Sequence, residues 1–190
     1  VTWYQKPSEN ILKKRGFTLT KLIFKNTYSP FSSEQIVAKE KANMKKKRFE
    51  HCVRVSETAR KLAKLNGYDE EKAALAGFVH DYAKQVPVEE YRKVIKEQDF
   101  DPDLLNWNRA SWHGIVGIFF IERDLKIRDP EILTAVRRHT TGDTKMTTLD
   151  KIIFVADFIE PGRDFPGVEE ARKVAYASLD EGVGYELQHT

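Results

Sequence analysis

An all-α fold is what this sequence predicts, on three observations. From Phe49 onward apolar residues recur at helical spacing, helix-capping residues and prolines punctuate them, and no alternating stretch in the body is long enough for a strand. The expected class is a helical bundle whose helices converge on a shared interior.

The elements follow in order. Thr18 to Phe24 has the composition of a short strand, but nothing nearby offers it a partner. Ser32 and Gln35 stand at capping-box spacing and can start a helix leading into the body. A long helix is expected from Lys45 to Asn66, stopped by Gly67. On it His51, Val55, Ala59 and Leu62 form one stripe, so the histidine shares a face with core residues. Asp69 caps the next helix, with Glu70 and Glu71 in its first turn, and that helix is expected to run past His80-Asp81 to Val86-Pro87. Ala73, Ala74, Ala76 and Gly77 are small and allow a neighbouring helix to come close. Pro87 opens a helix to about Gln98, and Asp101-Pro102 and Asp129-Pro130 are two further cap-then-proline starts. Helices are expected over 111–124, carrying His113, and over 130–140, carrying His139 at its end. Another covers 147–160, with Asp157 one turn after Ile153 and Pro161-Gly162 closing it. A last helix runs from Val168 towards the end.

At 190 residues and 22.0 kDa the chain is long enough for one domain with a sizeable core. The longest apolar run, Gly114 to Ile121, is far short of the ~20 residues of a membrane span. No apolar stretch of signal-peptide type follows the first basic residues. Cys52 is the only cysteine, which rules out an internal disulfide and makes a reducing cytoplasm the expected compartment. Its place beside His51 does not make it a ligand, because successive helix positions diverge; a buried apolar role is favoured. The net charge of +3 is uneven. Residues 1–47 hold 11 Lys/Arg against 3 Asp/Glu, and residues 48–190 hold 21 against 26. Residues 1–44 are therefore read as a basic extension, poorly ordered in part, and 45–190 as the working domain. A solvated arm is the favoured reading over one that binds nucleic acid.

Chemistry concentrates in His51, His80-Asp81, His113, His139 and Asp157, which include four of the five histidines. Imidazole and carboxylate together suit Fe, Mn, Zn, Co or Ni, and bundles build metal sites from side chains on facing helices. This series resembles the HD superfamily of metal-dependent phosphohydrolases, whose pattern is His, then His-Asp, then Asp. Arg48-Phe49-Glu50-His51, His80-Asp81-Tyr82-Ala83-Lys84, His139-Thr140-Thr141-Gly142 and Asp157-Phe158-Ile159-Glu160-Pro161-Gly162-Arg163 are similar to one bacterial branch, the YqeK-type symmetrical diadenosine tetraphosphate hydrolases. The resemblance covers about residues 48–190. The arm before residue 44 departs from it, and so does the end at Thr190, where family members continue into a segment that helps hold nucleotide. Metal chemistry is expected to survive both departures, with nucleotide affinity the property at stake.

The resemblance implies an HD-type bundle in which His51, His80, Asp81 and Asp157 hold a first metal. Asp81, His113 and His139 would hold a second. With one ion only, the two histidines would contact phosphate or protonate the leaving group. A bound ion lowers the pKa of its water, giving hydroxide near neutral pH, and offsets phosphoryl charge. Fe is the favoured metal. Asp81, Lys84, His113 and His139 are the expected catalytic residues. Lys84, Thr140 and Arg163, with His51, His113, His139 and Asp157, are expected to meet the substrate. Arg163 has a surface alternative in Asp164, and at most one of Arg137 and Arg138 can face the site. Trp107 and Trp112 are assigned to packing rather than to adenine stacking. The expected reaction is cleavage of diadenosine tetraphosphate to two ADP. The alternatives are an HD-type hydrolase of a dNTP or alarmone, and a metal-bound nucleotide-sensing module without turnover. A nucleotide is the expected partner and a homodimer is compatible with the amphipathic helices; neither a membrane nor nucleic acid is favoured.

Overall fold

The computed structural model describes residues 27–189, and among them there are ten α-helices and no strand. The strand expected over Thr18 to Phe24 lies outside the described residues. Helix α1 (Ser33–Asn43) begins at the expected capping box, with Ser32 accepting from Gln35 N while the Gln35 side chain returns to Ser32 N. It is packed onto the body: Ile36 and Glu40 are buried, and Asn43 Nδ2 donates to Tyr82 O at 2.5 Å. The part of the basic extension described here is thus tied to the rest.

Helices α2 (Lys46–Leu65) and α3 (Glu70–Val79) form the antiparallel pair at the centre. Gly67, at φ +63°, reverses the chain between them, and Asp69 accepts from the N–H groups of Glu71 and Lys72. The small residues do what their size suggests. A Cβ on Gly77 would meet Ala59 Cβ at 3.0 Å and Val55 O at 3.1 Å, so the two helices touch at backbone distance.

Helix α3 is shorter than the sequence predicts. It stops at Val79, and residues 80–85 form a chain of turns. Bonds of the i→i+3 kind run from Tyr82 N to Val79 O, Lys84 N to Asp81 O and Val86 N to Ala83 O. Side chains from elsewhere take the carbonyls a longer helix would use: Asn43 holds Tyr82 O and the Tyr91 hydroxyl holds Ala83 O. His80-Asp81 therefore sits on a tightened turn just beyond the helix end.

Helix α4 (Val88–Glu97) leads into two short 3₁₀ turns, Pro102–Asn106 and Arg109–Ser111. The single helix expected over 111–124 is instead α5 (Trp112–Ile115), α6 (Gly117–Phe120) and a π turn (Ile121–Leu125). Close packing explains the break at its start. A Cβ on Gly114 would meet Arg137 O at 3.1 Å, and one on Gly117 would meet Ala83 Cβ at 3.2 Å. Helix α7 (Pro130–Arg138) starts at the Asp129 cap and leaves His139 just past its end. Helix α8 (Thr148–Ile159) starts at a second capping box, Thr147 with Asp150, and packs against α2, α7 and the C-terminal helices. The last expected helix is a pair, α9 (Val168–Ala177) and α10 (Leu179–His189), broken at Ser178, whose backbone is extended. Gly182 lets them close, since a Cβ there would lie 2.9 Å from Ala175 Cα.

Candidate metal centre

Five elements meet at one buried point. Helix α2 brings His51, the turn after α3 brings His80 and Asp81, and α8 brings Asp157. Helix α5 brings His113 and the end of α7 brings His139. Potential ligand atoms form three overlapping sets: His51, His80 and Asp81; His80, His139 and Asp157; and Asp81, His113 and His139. Within each set they lie within 4.8 Å of one another.

Asp81 is the hinge of the arrangement. Its Oδ2 lies 3.8 Å from His51 Nε2 and 3.5 Å from His80 Nε2, while Oδ1 lies 3.2 Å from His113 Nε2 and 3.7 Å from His139 Nε2. Asp157 Oδ1 approaches His51 Nε2 at 3.0 Å and His80 Nε2 at 3.9 Å. His113 and His139 bring their Nε2 atoms within 3.0 Å of each other.

Three histidines are oriented from behind. His80 Nδ1 is 2.7 Å from Gly77 O and His139 Nδ1 is 2.6 Å from Val136 O, contacts that require Nδ1 to carry the proton. His51 Nδ1 lies 3.1 Å from Glu160 Oε1. A proton on Nδ1 leaves a lone pair on Nε2, directed inward, which is the tautomer a metal ligand needs. With Nδ1 protonated, His51 Nε2 and His80 Nε2 face carboxylate oxygens that cannot donate to them, and they are buried without a hydrogen-bond partner among the described residues, as is Asp81 Oδ1. Buried polar atoms are normally satisfied. This donor set, hard carboxylate with borderline imidazole, fits a divalent ion.

The electrostatics agree. Burial pushes the Asp81 carboxyl up, but His80, His113 and His139 around it hold it well below its ordinary value. Asp157 is lowered likewise: burial works against ionisation, and His51, His80 and Arg163 outweigh it. Burial, with His139 and Lys84 nearby, pushes His113 down to about 4 against the pull of Asp81, so the ring is neutral near pH 7. Lys84 Nζ is 2.9 Å from His113 Nε2 and 4.0 Å from Asp81 Oδ1, and burial lowers its pKa.

The structure thus brings together His51, His80, Asp81, His113, His139, Asp157 and Lys84. Thr140 Oγ1 joins them, 3.1 Å from both His113 Nε2 and His139 Nε2. Arg163 turns inward to Asp157, pairing with Oδ1 and donating to its carbonyl at 2.7 Å, and its surface alternative Asp164 is not used. Arg138 is engaged by Asp143 and Asp150, and Arg137 is exposed, so neither faces the centre. Cys52 is fully buried with Sγ 3.9 Å from Met44 Sδ, and Trp112 is buried with its indole N–H on Leu104 O.

Three residues carry roles that sequence reasoning did not assign. Arg48 NH1 donates to Asp81 Oδ2 at 2.6 Å. Glu160 joins His51 to Arg54, whose Nε is 2.5 Å from Oε2, and to Gly162 N. Burial pushes Glu160 up, yet His51 and Arg54 hold it at about 2, so it is ionised. For Arg48 and Glu160 the available signal was their presence inside the quoted motifs; Arg54, one turn after His51 and outside them, carried none.

A family model described as the HD domain matches residues 48–162. The chain is 40% identical over 157 residues to the symmetrical bis(5'-nucleosyl)-tetraphosphatase of Bacillus subtilis (strain 168), covering 83% of this chain and 84% of that protein. It is 40% identical to the protein of that name from Staphylococcus aureus (strain NCTC 8325 / PS 47), covering 80% and 77%. Among solved structures, one from Clostridium acetobutylicum, described as a predicted HD superfamily hydrolase involved in NAD metabolism, aligns with a TM-score of 0.76. It shares 33% identity and covers 84% of this chain and 85% of that one.

Proposed function

We propose that this chain, which belongs to the HD domain family, is a metal-dependent phosphohydrolase that splits diadenosine tetraphosphate symmetrically into two ADP. The observation that carries the reading is the two-sided carboxylate: Asp81 faces His51 and His80 with one oxygen and His113 and His139 with the other. Family membership implies a divalent metal. The relatives named for the tetraphosphatase reaction match along most of their length.

His51, His80, Asp81 and Asp157 would hold the first ion, and Asp81, His113 and His139 a second, with Fe favoured among the metals that suit such donors. A bound ion supplies a lowered pKa for its water and charge to offset the phosphoryl oxygens. The chain's own residues do the rest. Neutral His113 can accept or pass a proton, because burial keeps it uncharged near pH 7. Lys84, about a third exposed at its side chain, offers its ammonium to a phosphate oxygen where negative charge builds. Thr140 offers a hydroxyl beside both histidines. Arg163 and Arg48 brace Asp157 and Asp81, and both line the cleft beside His51. A nucleotide substrate and a single cysteine fit work in a reducing cytoplasm. Among the described residues no helix is long and apolar enough to cross a membrane.

The test is incubation of metal-analysed protein with diadenosine tetraphosphate and separation of the products, beside Asp81→Ala. ADP alone, lost in the variant, is the expected outcome. AMP plus ATP would overturn the symmetrical cut while leaving a hydrolase. Intact substrate despite bound metal would overturn the substrate assignment.

A further inference from the structure

Two clefts are lined by histidines of the Asp81 centre. The larger, of about 640 Å³, has His51 and Glu160 in its floor and Lys45 and Lys47 at its edge. The smaller, of about 210 Å³, has His113 and Lys84 at its inner end, apolar walls that include Val86, Val88 and Ala110, and Arg109 at its edge. His51 approaches Asp81 at Oδ2 and His113 approaches it at Oδ1, so each cleft is lined by a histidine that faces a different oxygen of the same carboxylate.

We propose that the two halves of the substrate lie one in each cleft, and that Lys45 with Lys47 on one side and Arg109 on the other are specificity residues that hold them. The proposal rests on the function proposed above. A molecule cut between its second and third phosphates extends in both directions from the reacting phosphorus. Each direction must accommodate a diphosphate and a nucleoside, and a single cleft leaves one half in water.

The charges point the same way. In the larger cleft Arg48, Arg54 and Arg163 are each paired, with Asp81, Glu160 and Asp157. Lys45 and Lys47 have no ion pair among the described residues, and neither does Arg109 in the smaller cleft. These cations are therefore available to an incoming polyanion, and they stand farther out than the residues that brace the ligands. The walls differ as well. Val86, Val88 and Ala110 present apolar surface suited to the flat face of a base in the smaller cleft, while the larger sets the Phe165 ring beside Gln85 and Asp164, whose polar groups suit sugar and base edges. A substrate with identical halves is thus held in two chemically different ways.

The experiment is steady-state kinetics of the metal-loaded full chain on diadenosine tetraphosphate. The variants are Lys45→Ala/Lys47→Ala, Arg109→Ala and all three substitutions together, each checked for an unchanged thermal melt. Lys173→Ala, which removes a surface lysine paired to Glu170, is the charge control. The expected result is a KM raised about fivefold by each cleft's variant, with kcat changed by less than about twofold. The combined variant should show the product of the two effects, as independent sites do, and the control no change. A KM rise from only one cleft, or a combined effect no larger than a single one, overturns the two-cleft arrangement while wild-type turnover keeps the tetraphosphatase reading intact. Absence of ADP from the wild type itself brings down that reading, and this proposal with it.

Discussion

Asp81 shows how much one side chain's surroundings can decide. The same residue type at Asp157 meets His51 and His80 through one oxygen, whereas Asp81 uses both oxygens toward different partners. The six ligand candidates were legible in the sequence because imidazole and carboxylate announce their chemistry by type. Glu160 was not, because its function depends on α2 lying beside the end of α8, which no local pattern states. It fixes the tautomer of His51 from behind, so Glu160→Ala should lower metal affinity about 10–100-fold with the fold retained. Titration of the metal-free protein with Mn²⁺ or Fe²⁺, followed by calorimetry, measures this without reference to turnover. Unchanged affinity would show that Arg54 and the packing alone orient the ring. Arg163 teaches the same lesson: it was expected to meet phosphate, with Asp164 as a surface alternative, and its pairing with Asp157 was not read from the sequence.

Element starts were read well and element ends less so. Ser32, Asp69, Asp129 and Thr147 cap as their residue types predict, because a cap is made by groups two or three residues away. The end of α3 was missed because Asn43 and Tyr91, distant in sequence, capture the carbonyls of Tyr82 and Ala83. Ala83 O also accepts from Val86 N, so Tyr91→Phe removes one of its two bonds and should destabilise the protein by about 0.5–1.5 kcal/mol in urea denaturation. The contact between α5 and α7 is equally specific. A methyl group at Gly114 would press on the carbonyls of Arg137 and Val136 at 3.1 and 3.2 Å, immediately before His139. Backbone gives way reluctantly, so Gly114→Ala should separate His113 from His139 and reduce kcat at least about tenfold. A variant with full activity would show that α5 can shift without disturbing the pair.

For the molecule as a whole, pH and metal set stability in opposite ways. Glu40 of α1 is fully buried, and burial first, then the nearby Asp81 charge, raises its carboxyl well above the ordinary value. A carboxyl raised in the folded state contributes fully below its unfolded pKa, and that contribution is lost as pH rises towards the folded value. Glu40→Gln should therefore raise the melting temperature at about pH 8 and leave it nearly unchanged at about pH 4; an equal shift at both would show that Glu40 does not titrate in this way. Metal acts through the native state alone, so at a free concentration 1,000 times its Kd it should stabilise by about 4 kcal/mol and chelation should reverse the gain. The helical bundle and its ligand candidates could be anticipated from pattern and residue type, while the clefts arise only from the tertiary meeting of α2 with the segment after α8 on one side and of α4 with α5 on the other. The ligands are strung from His51 to Asp157 and close only when α2, α5, α7 and α8 have all docked. On the ribosome the N-terminal helices emerge many seconds before Asp157, at about 5–20 residues per second. A nascent chain that has not yet exposed Asp157 lacks one ligand of the first set, so that set closes only once α8 has emerged and docked, and its loading with metal becomes a report that this docking is complete.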